Sequence, residues 1–146
     1  MNNPPFELHP RLAADGVSLG RFPLCRVLLM NESRYPWLIL VPERPYVSEI
    51  HELSEADQCR LIRESSALGA HLKRVLAADK LNVAAIGNLV PQLHVHLVAR
   101  YREDVAWPAP VWGRFTPLPY TREALEQLHE RLSLAELPDF TATALA

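Results

Sequence analysis

The chain has 146 residues, 49% of them hydrophobic and 22% charged, with a formal net charge of −2. That length suits one domain able to bury roughly two-thirds of its unfolded surface, and the near-neutral balance argues against a general binder of nucleic acid or anionic membrane. Cys25 and Cys59 form neither a CxxC nor a zinc pattern, no apolar run reaches the ~20 residues of a membrane span, and the first residues lack a signal pattern, so a cytoplasmic location is the expectation.

Residues 2–10 are rich in proline and expected to be extended, and residues 11–16 lead into a turn. Residues 17–22 read as a short strand, interrupted by Pro23. Residues 24–30 are a strand apolar enough to be covered on both faces, 31–36 hold the polar and proline residues of a turn, and 37–41 are the returning strand, stopped by Pro42. Together they predict a β-hairpin at the centre of a sheet. Residues 43–53 form a connector with room for one helical turn.

A long helix starts at the N-cap Ser54, with Glu55 and Asp57 in its first turn, where the helix dipole favours negative charge. Leu61, Ile62, Ser65, Leu68, Leu72, Val75 and Leu76 fall at helical spacing and make one stripe; His71 lies beside it, at the surface or edge, and the helix should end near Asp79. Residues 81–86 read as the next strand, and Gly87 turns the chain toward a segment, 92–98, in which polar and apolar residues alternate strictly. After Arg100 come a proline-stiffened loop over 105–119 carrying Trp107 and Trp112, a second helix over about 121–133 with Leu125, Leu128 and Leu132 on a narrow stripe, and an unspecified tail. The loop's aromatic residues must bury against the core, a partner subunit or the active site. No internal repeat is present.

The alternating segment organises the rest. On a strand, successive side chains point to opposite faces, so Gln92, His94 and His96 are expected on one face and Leu93, Val95 and Leu97 on the core side. Neighbours on the polar face sit roughly 6.6 Å apart, close enough to line one small ligand. Three readings compete: a merely solvated face, a zinc site built on the His94/His96 pair, and nucleophilic catalysis by one imidazole. The metal reading needs further ligands, which no spacing in the sequence supplies.

Gln92-Leu93-His94-Val95-His96-Leu97-Val98, preceded by Gly87-Asn88 and followed by Arg100, resembles the motif of the histidine triad (HIT) nucleotide hydrolases and transferases, with Gln92 at the first triad position. The hairpin over 24–42 is similar to the family's central hairpin, and the resemblance spans about residues 19–102. It implies an α+β, HIT-like fold in one domain over 1–146, with a core about 17–102: an antiparallel sheet of about five strands, a long helix packed on it and a C-terminal helix. It implies a nucleotide substrate, with a purine expected, and a homodimer; neither nucleic acid nor membrane is an expected partner.

The resemblance also assigns roles. His94, at the middle position, attacks the α-phosphorus of a nucleoside phosphoramidate, ester or dinucleoside polyphosphate to give a nucleotidyl-histidine that water resolves. The other ring nitrogen of His94 should donate to a backbone carbonyl that fixes the tautomer. His96 stabilises the bridging oxygen or protonates the leaving group, Asn88 and, less securely matched, Asn82 hold the α-phosphate, and Asn31 holds the ribose. Gln92 can donate to a phosphate oxygen or orient a carbonyl but cannot shuttle a proton near neutral pH. Trp37 stands where many relatives carry a histidine and is read as packing. No cofactor or metal is required. The rival functions are a non-catalytic nucleotide sensor and, third, a metal-dependent hydrolase using His94 and His96.

Overall fold

A computed structural model describes residues 4–146. Residues 2 and 3 of the expected extended stretch lie outside the described residues; 4–9 are irregular. Where a turn was expected, helix α1 (Pro10–Asp15) forms, because Pro10 at its first position presets the helical φ and His9 caps it, the imidazole accepting a hydrogen bond from Arg11 N–H. The strands follow as β1 (Gly16–Arg21), β2 (Cys25–Met30) and β3 (Trp37–Pro42). Then come helix α2 (Glu55–Val75), β4 (Lys80–Ala84), β5 (Val95–Arg100), helix α3 (Arg122–Leu132) and a two-residue strand, β6 (Thr141–Ala142). The connector after β3 contains the one expected helical turn, at Ile50–Glu52.

The strands make one six-stranded sheet in the order β4-β5-β3-β2-β1-β6. Every pairing is antiparallel. The α+β architecture is as expected, with one strand more than the estimate. That strand, β6, is reached by the tail that the sequence left unspecified. It pairs at Gly20 and Arg21, and Gly20, at φ +141°, accepts the crossing because a Cβ there would collide with the Thr141 carbonyl and the Phe140 ring.

Alternation sorts the central strands into two cores. Val27, Leu29, Leu38, Leu40, Val95 and Leu97 join Leu61, Leu68 and Leu72 of α2. On the opposite face Leu28, Trp37, Ile39, Val41 and Val98 pack under Leu12 of α1 and Ala106 and Val111 of the loop after β5. The sheet is therefore sandwiched between α2 and a lid of α1 plus loop. β3, one of the two central strands, and β5 beside it are buried along their whole length.

Two readings of α2 need correction. Ile62 is 63% exposed, and the inward face instead carries Glu64 and His71, both buried. Each polar side chain answers a backbone group that has left the ladders. The Glu64 carboxylate accepts from the N–H groups of Leu24 (3.1 Å) and Cys25 (2.8 Å), beside the break made by Pro23. The His71 Nε2–H donates to the Leu132 carbonyl (2.6 Å) at the end of α3, and Arg74 donates to its Nδ1 (3.2 Å). The helix also stops short of Asp79: Leu76 caps it and Ala77, at φ 49°, turns the chain away. α3 begins as expected, at Thr121, whose hydroxyl accepts from Ala124 N–H.

Candidate active site

The face of the sheet away from α2 holds a cavity of about 390 Å³ under the lid. His94 and His96 lie on it, each 7% exposed. Their ring centroids are 4.8 Å apart. Apolar side chains of Leu12, Met30, Ile39 and Trp112 form much of the wall, Arg11 and Asp15 of α1 stand at one side, and the turn at Gly87 and Asn88 at the other. Gly87 makes that turn at φ +71°, a backbone conformation that glycine adopts without strain.

The two imidazoles are held in opposite senses. His94 Nδ1–H donates to the Gln92 carbonyl oxygen at 2.7 Å, so its proton is fixed there and Nε2 keeps a lone pair. The Trp37 indole N–H donates to His96 Nδ1 at 3.0 Å. An indole nitrogen can only donate, so His96 Nδ1 is unprotonated and its proton resides on Nε2. One histidine offers a base and its neighbour a donor. His96 is further enclosed by Trp112, 5.5 Å away, and Trp37, 5.7 Å away, both edge to face. Burial, and then the proximity of His94, push its pKa down from 6.5 to about 4, which keeps it neutral at physiological pH.

Of the residues singled out in the sequence, His94, His96 and Asn88 meet on the cavity; Gln92, Asn31 and Asn82 do not line it. Gln92 fails to share the histidine face because the ladder with β3 ends at the Leu40–Val95 pair, and the chain before it bends after Pro91. Its amide instead clasps the N-terminal arm, donating to Glu7 O and accepting from His9 N–H, both at 2.9 Å. Only its backbone carbonyl reaches the histidines. The Asn82 oxygen accepts from Arg100 at 2.8 Å, and the Asn31 oxygen from Tyr120 N–H at 2.9 Å. Arg100, which follows the motif, does not line the cavity either: it is 1% exposed and paired with Asp104 (2.7 Å).

Sequence reasoning missed three contributors. Trp37 was read as packing, yet it also sets the protonation of His96. Trp112 belongs to the loop flagged for its tryptophans, and of the three fates open to them it takes the active-site one, whereas Trp107 packs 5.7 Å from the Arg100 guanidinium. The third contributor is α1; its proline at the first helical position and the Arg11–Asp15 spacing of an i,i+4 ion pair were the available signals. Among the described residues, no three His, Cys, Asp or Glu side chains converge to hold a metal ion, and no helix is long and apolar enough to cross a membrane.

The fold and the site both have relatives. A histidine triad protein from Marinobacter aquaeolei is 49% identical, with 92% of this chain and 99% of that one aligned and a TM-score of 0.88. Another, from Bradyrhizobium japonicum, is 46% identical over 88% and 96% of the two chains, with a TM-score of 0.86. A third, from Sinorhizobium meliloti, is 43% identical over 87% and 94%, with a TM-score of 0.85. A search of curated proteins gave no match. The HIT domain model matches residues 11–103, which hold all of α1 but its first residue, the hairpin, α2 and both histidines. The chain belongs to the HIT domain family, whose members are generally nucleotide hydrolases and transferases.

Proposed function

We propose that this protein cleaves or transfers nucleotides at the α-phosphate through a nucleotidyl-histidine formed on His94. The observation that carries this reading is the 2.7 Å bond from His94 Nδ1–H to the Gln92 carbonyl, which leaves Nε2 unprotonated as a nucleophile must be. In the first step the Nε2 lone pair bonds to phosphorus and the bond from phosphorus to the leaving group breaks. The His96 Nε2–H stabilises the charge that builds on the bridging atom, and the Asn88 amide, exposed at the rim, that on a non-bridging oxygen. In the second step water attacks phosphorus and forms the new P–O bond, releasing a proton to solvent, while the P–N bond breaks and its electron pair returns to Nε2.

The apolar wall suits a purine base. With the Asn31 oxygen committed to Tyr120, the Asp15 carboxylate on the cavity is the better candidate for the ribose hydroxyls. A second copy of the chain is a reasonable partner for β4, an outer strand of the sheet whose Val83 is 57% exposed. Sedimentation at graded concentrations tests that dimer.

Mass spectrometry of enzyme quenched during turnover of a diadenosine polyphosphate tests the chemistry. A nucleotidyl adduct on the peptide containing His94, absent in His94→Ala of unchanged melting temperature, is the expected result. Tight nucleotide binding with neither turnover nor adduct would replace this reading with that of a nucleotide sensor.

A further inference from the structure

Trp37 sits on β3 beside the histidine strand, opposite Val98 and on the same face as His96. Its N–H is 3.0 Å from His96 Nδ1, and it has no lone pair to offer in return. We propose that Trp37 is a positioning residue that holds His96 as a neutral Nε2–H donor, and thereby restricts the site to substrates whose leaving group departs without a proton: phosphoric anhydrides, in preference to phosphoramidates and alkyl esters. This rests on the nucleotidyl-transfer reading above.

The restriction follows from what an imidazole must do to act as an acid. To give up a proton and remain neutral, His96 would first have to be an imidazolium, with hydrogens on both nitrogens. The Nδ1 hydrogen would then point at the indole hydrogen across 3.0 Å, two donors facing each other. The charge would also be enclosed by Trp37 and Trp112. No group packed around His96 compensates for it. β3 presents Trp37 and Ile39, β4 presents Ala84 and the loop presents Trp112, none of which carries charge. His94, the titratable neighbour on the same segment, supplies no negative charge to offset it, and the cavity's other ionisable groups, Arg11 and Asp15, form an ion pair with each other. Donating the proton from neutral His96 would leave a buried imidazolate instead. Neither form is a usable acid.

Anhydride cleavage needs no such acid. The His94 Nε2 pair forms the P–N bond, the bridging P–O bond breaks and its electrons leave on a phosphate oxygen. That oxygen is a stable anion near neutral pH and needs only the hydrogen bond from His96. A phosphoramidate must lose an amine, and its nitrogen has to acquire a proton as the P–N bond breaks. A histidine at position 37 could accept a hydrogen bond from Nδ1–H and so tolerate the imidazolium; tryptophan cannot.

The experiment compares wild type, Trp37→His and Trp37→Phe on a diadenosine polyphosphate and on adenosine 5′-phosphoramidate, with ¹⁵N spectra of the His96 ring recorded against pH. Wild type should favour the anhydride in kcat/KM by about 10²-fold or more, the scale of a missing general acid. Its His96 Nδ1 should stay pyridine-like and Nε2 pyrrole-like down to pH 5. Trp37→His should narrow the preference at least tenfold and add an acid limb to the phosphoramidate pH profile. Trp37→Phe, which keeps bulk without the donor, should let His96 titrate at higher pH while its melting temperature reports any damage to the fold. Equal wild-type rates on the two substrates, or a His96 that protonates near neutrality, would overturn the proposal. Turnover of neither substrate would overturn the substrate assignment together with the hydrolase reading, while the ring spectra still uphold or overturn the hold of Trp37 on His96.

Discussion

Truncating Asp104 to alanine should cost the fold about 3–5 kcal/mol, because it strands a buried guanidinium. The Arg100 and Asp104 side chains are 2% and 5% exposed. They are joined by two bonds, Nε to Oδ2 at 2.7 Å and a terminal nitrogen to Oδ1 at 3.0 Å. The same carboxylate accepts the N–H groups of Tyr101 (3.2 Å), Ala106 (3.1 Å) and Trp107 (2.8 Å), and so ties down the start of the loop that carries Trp112 over His96. Against a typical total of about 5–15 kcal/mol, the loss is about a fifth or more of the stability. Urea unfolding at pH 7, at constant m, measures it; Asp104→Asn should approach the alanine value, and Arg100→Met combined with Asp104→Ala should recover much of it. The pH dependence has a definite sign. Burial works to raise the Asp104 carboxyl, but hydrogen bonds from Arg100 and from the backbone outweigh it and hold the group below its ordinary 3.8. Its contribution is then complete above that value and lost only as pH falls through the lower folded one, so the gap between wild type and Asp104→Ala should be flat from pH 7 to 5. A loss below about 1 kcal/mol, the scale of an exposed pair, would refute the reasoning.

His96 should make the protein acid-sensitive in a higher window. With its folded pKa near 4 against an ordinary 6.5, its neutral form contributes stability that is full above 6.5 and fades as pH falls toward 4, by up to about 3 kcal/mol, and His96→Gln should flatten that slope in urea titrations. Gln92→Ala removes two hydrogen bonds to the N-terminal arm, worth ~0.5–1.5 kcal/mol each, and should raise amide exchange in α1; unchanged exchange there would show that the clasp is idle. Asp15→Ala should weaken nucleoside monophosphate binding by about tenfold or more while sparing inorganic phosphate, as loss of a hydrogen bond to a charged group implies, and Asn31→Ala should do less; calorimetry that reverses this order would return the ribose to Asn31.

Much of the fold was legible because its strongest signals are periodic. Alternation in Leu93 to Leu97 placed Val95 and Leu97 under α2 and His96 on the other face. The elements that escaped are those whose reason for existing is not periodic. α1 has six residues, too few to show a helical stripe, and its cap is a histidine rather than one of the usual oxygen-bearing side chains. β6 has two residues and owes its place to a distant glycine. The α2 stripe was rotated by treating polar residues as outward: Glu64 and His71 point inward because each satisfies a backbone group that a distant break in the chain leaves without a ladder partner.

The site divides along the same line. His94, His96 and Asn88 could be found from local order, since spacing on one strand and one turn brings them together. The roles of Gln92, Arg100 and Trp37 depend on what each meets across the fold. Gln92 lost its expected face because the pairing of β5 with β3 ends at Val95, three residues after it, and its amide went to the arm. Arg100 is engaged by an aspartate four residues on, so its guanidinium serves as a strut for the loop that carries Trp112 rather than as a charge in the site. Trp37 moved the other way. Nothing in its immediate sequence distinguishes it from a packing residue, but the antiparallel register of β3 against β5 brings its one polar atom to His96. A residue chosen for bulk and a residue chosen to place one hydrogen look alike until the register is known, and at this position the direction of that hydrogen decides whether the neighbouring histidine can be an acid at all.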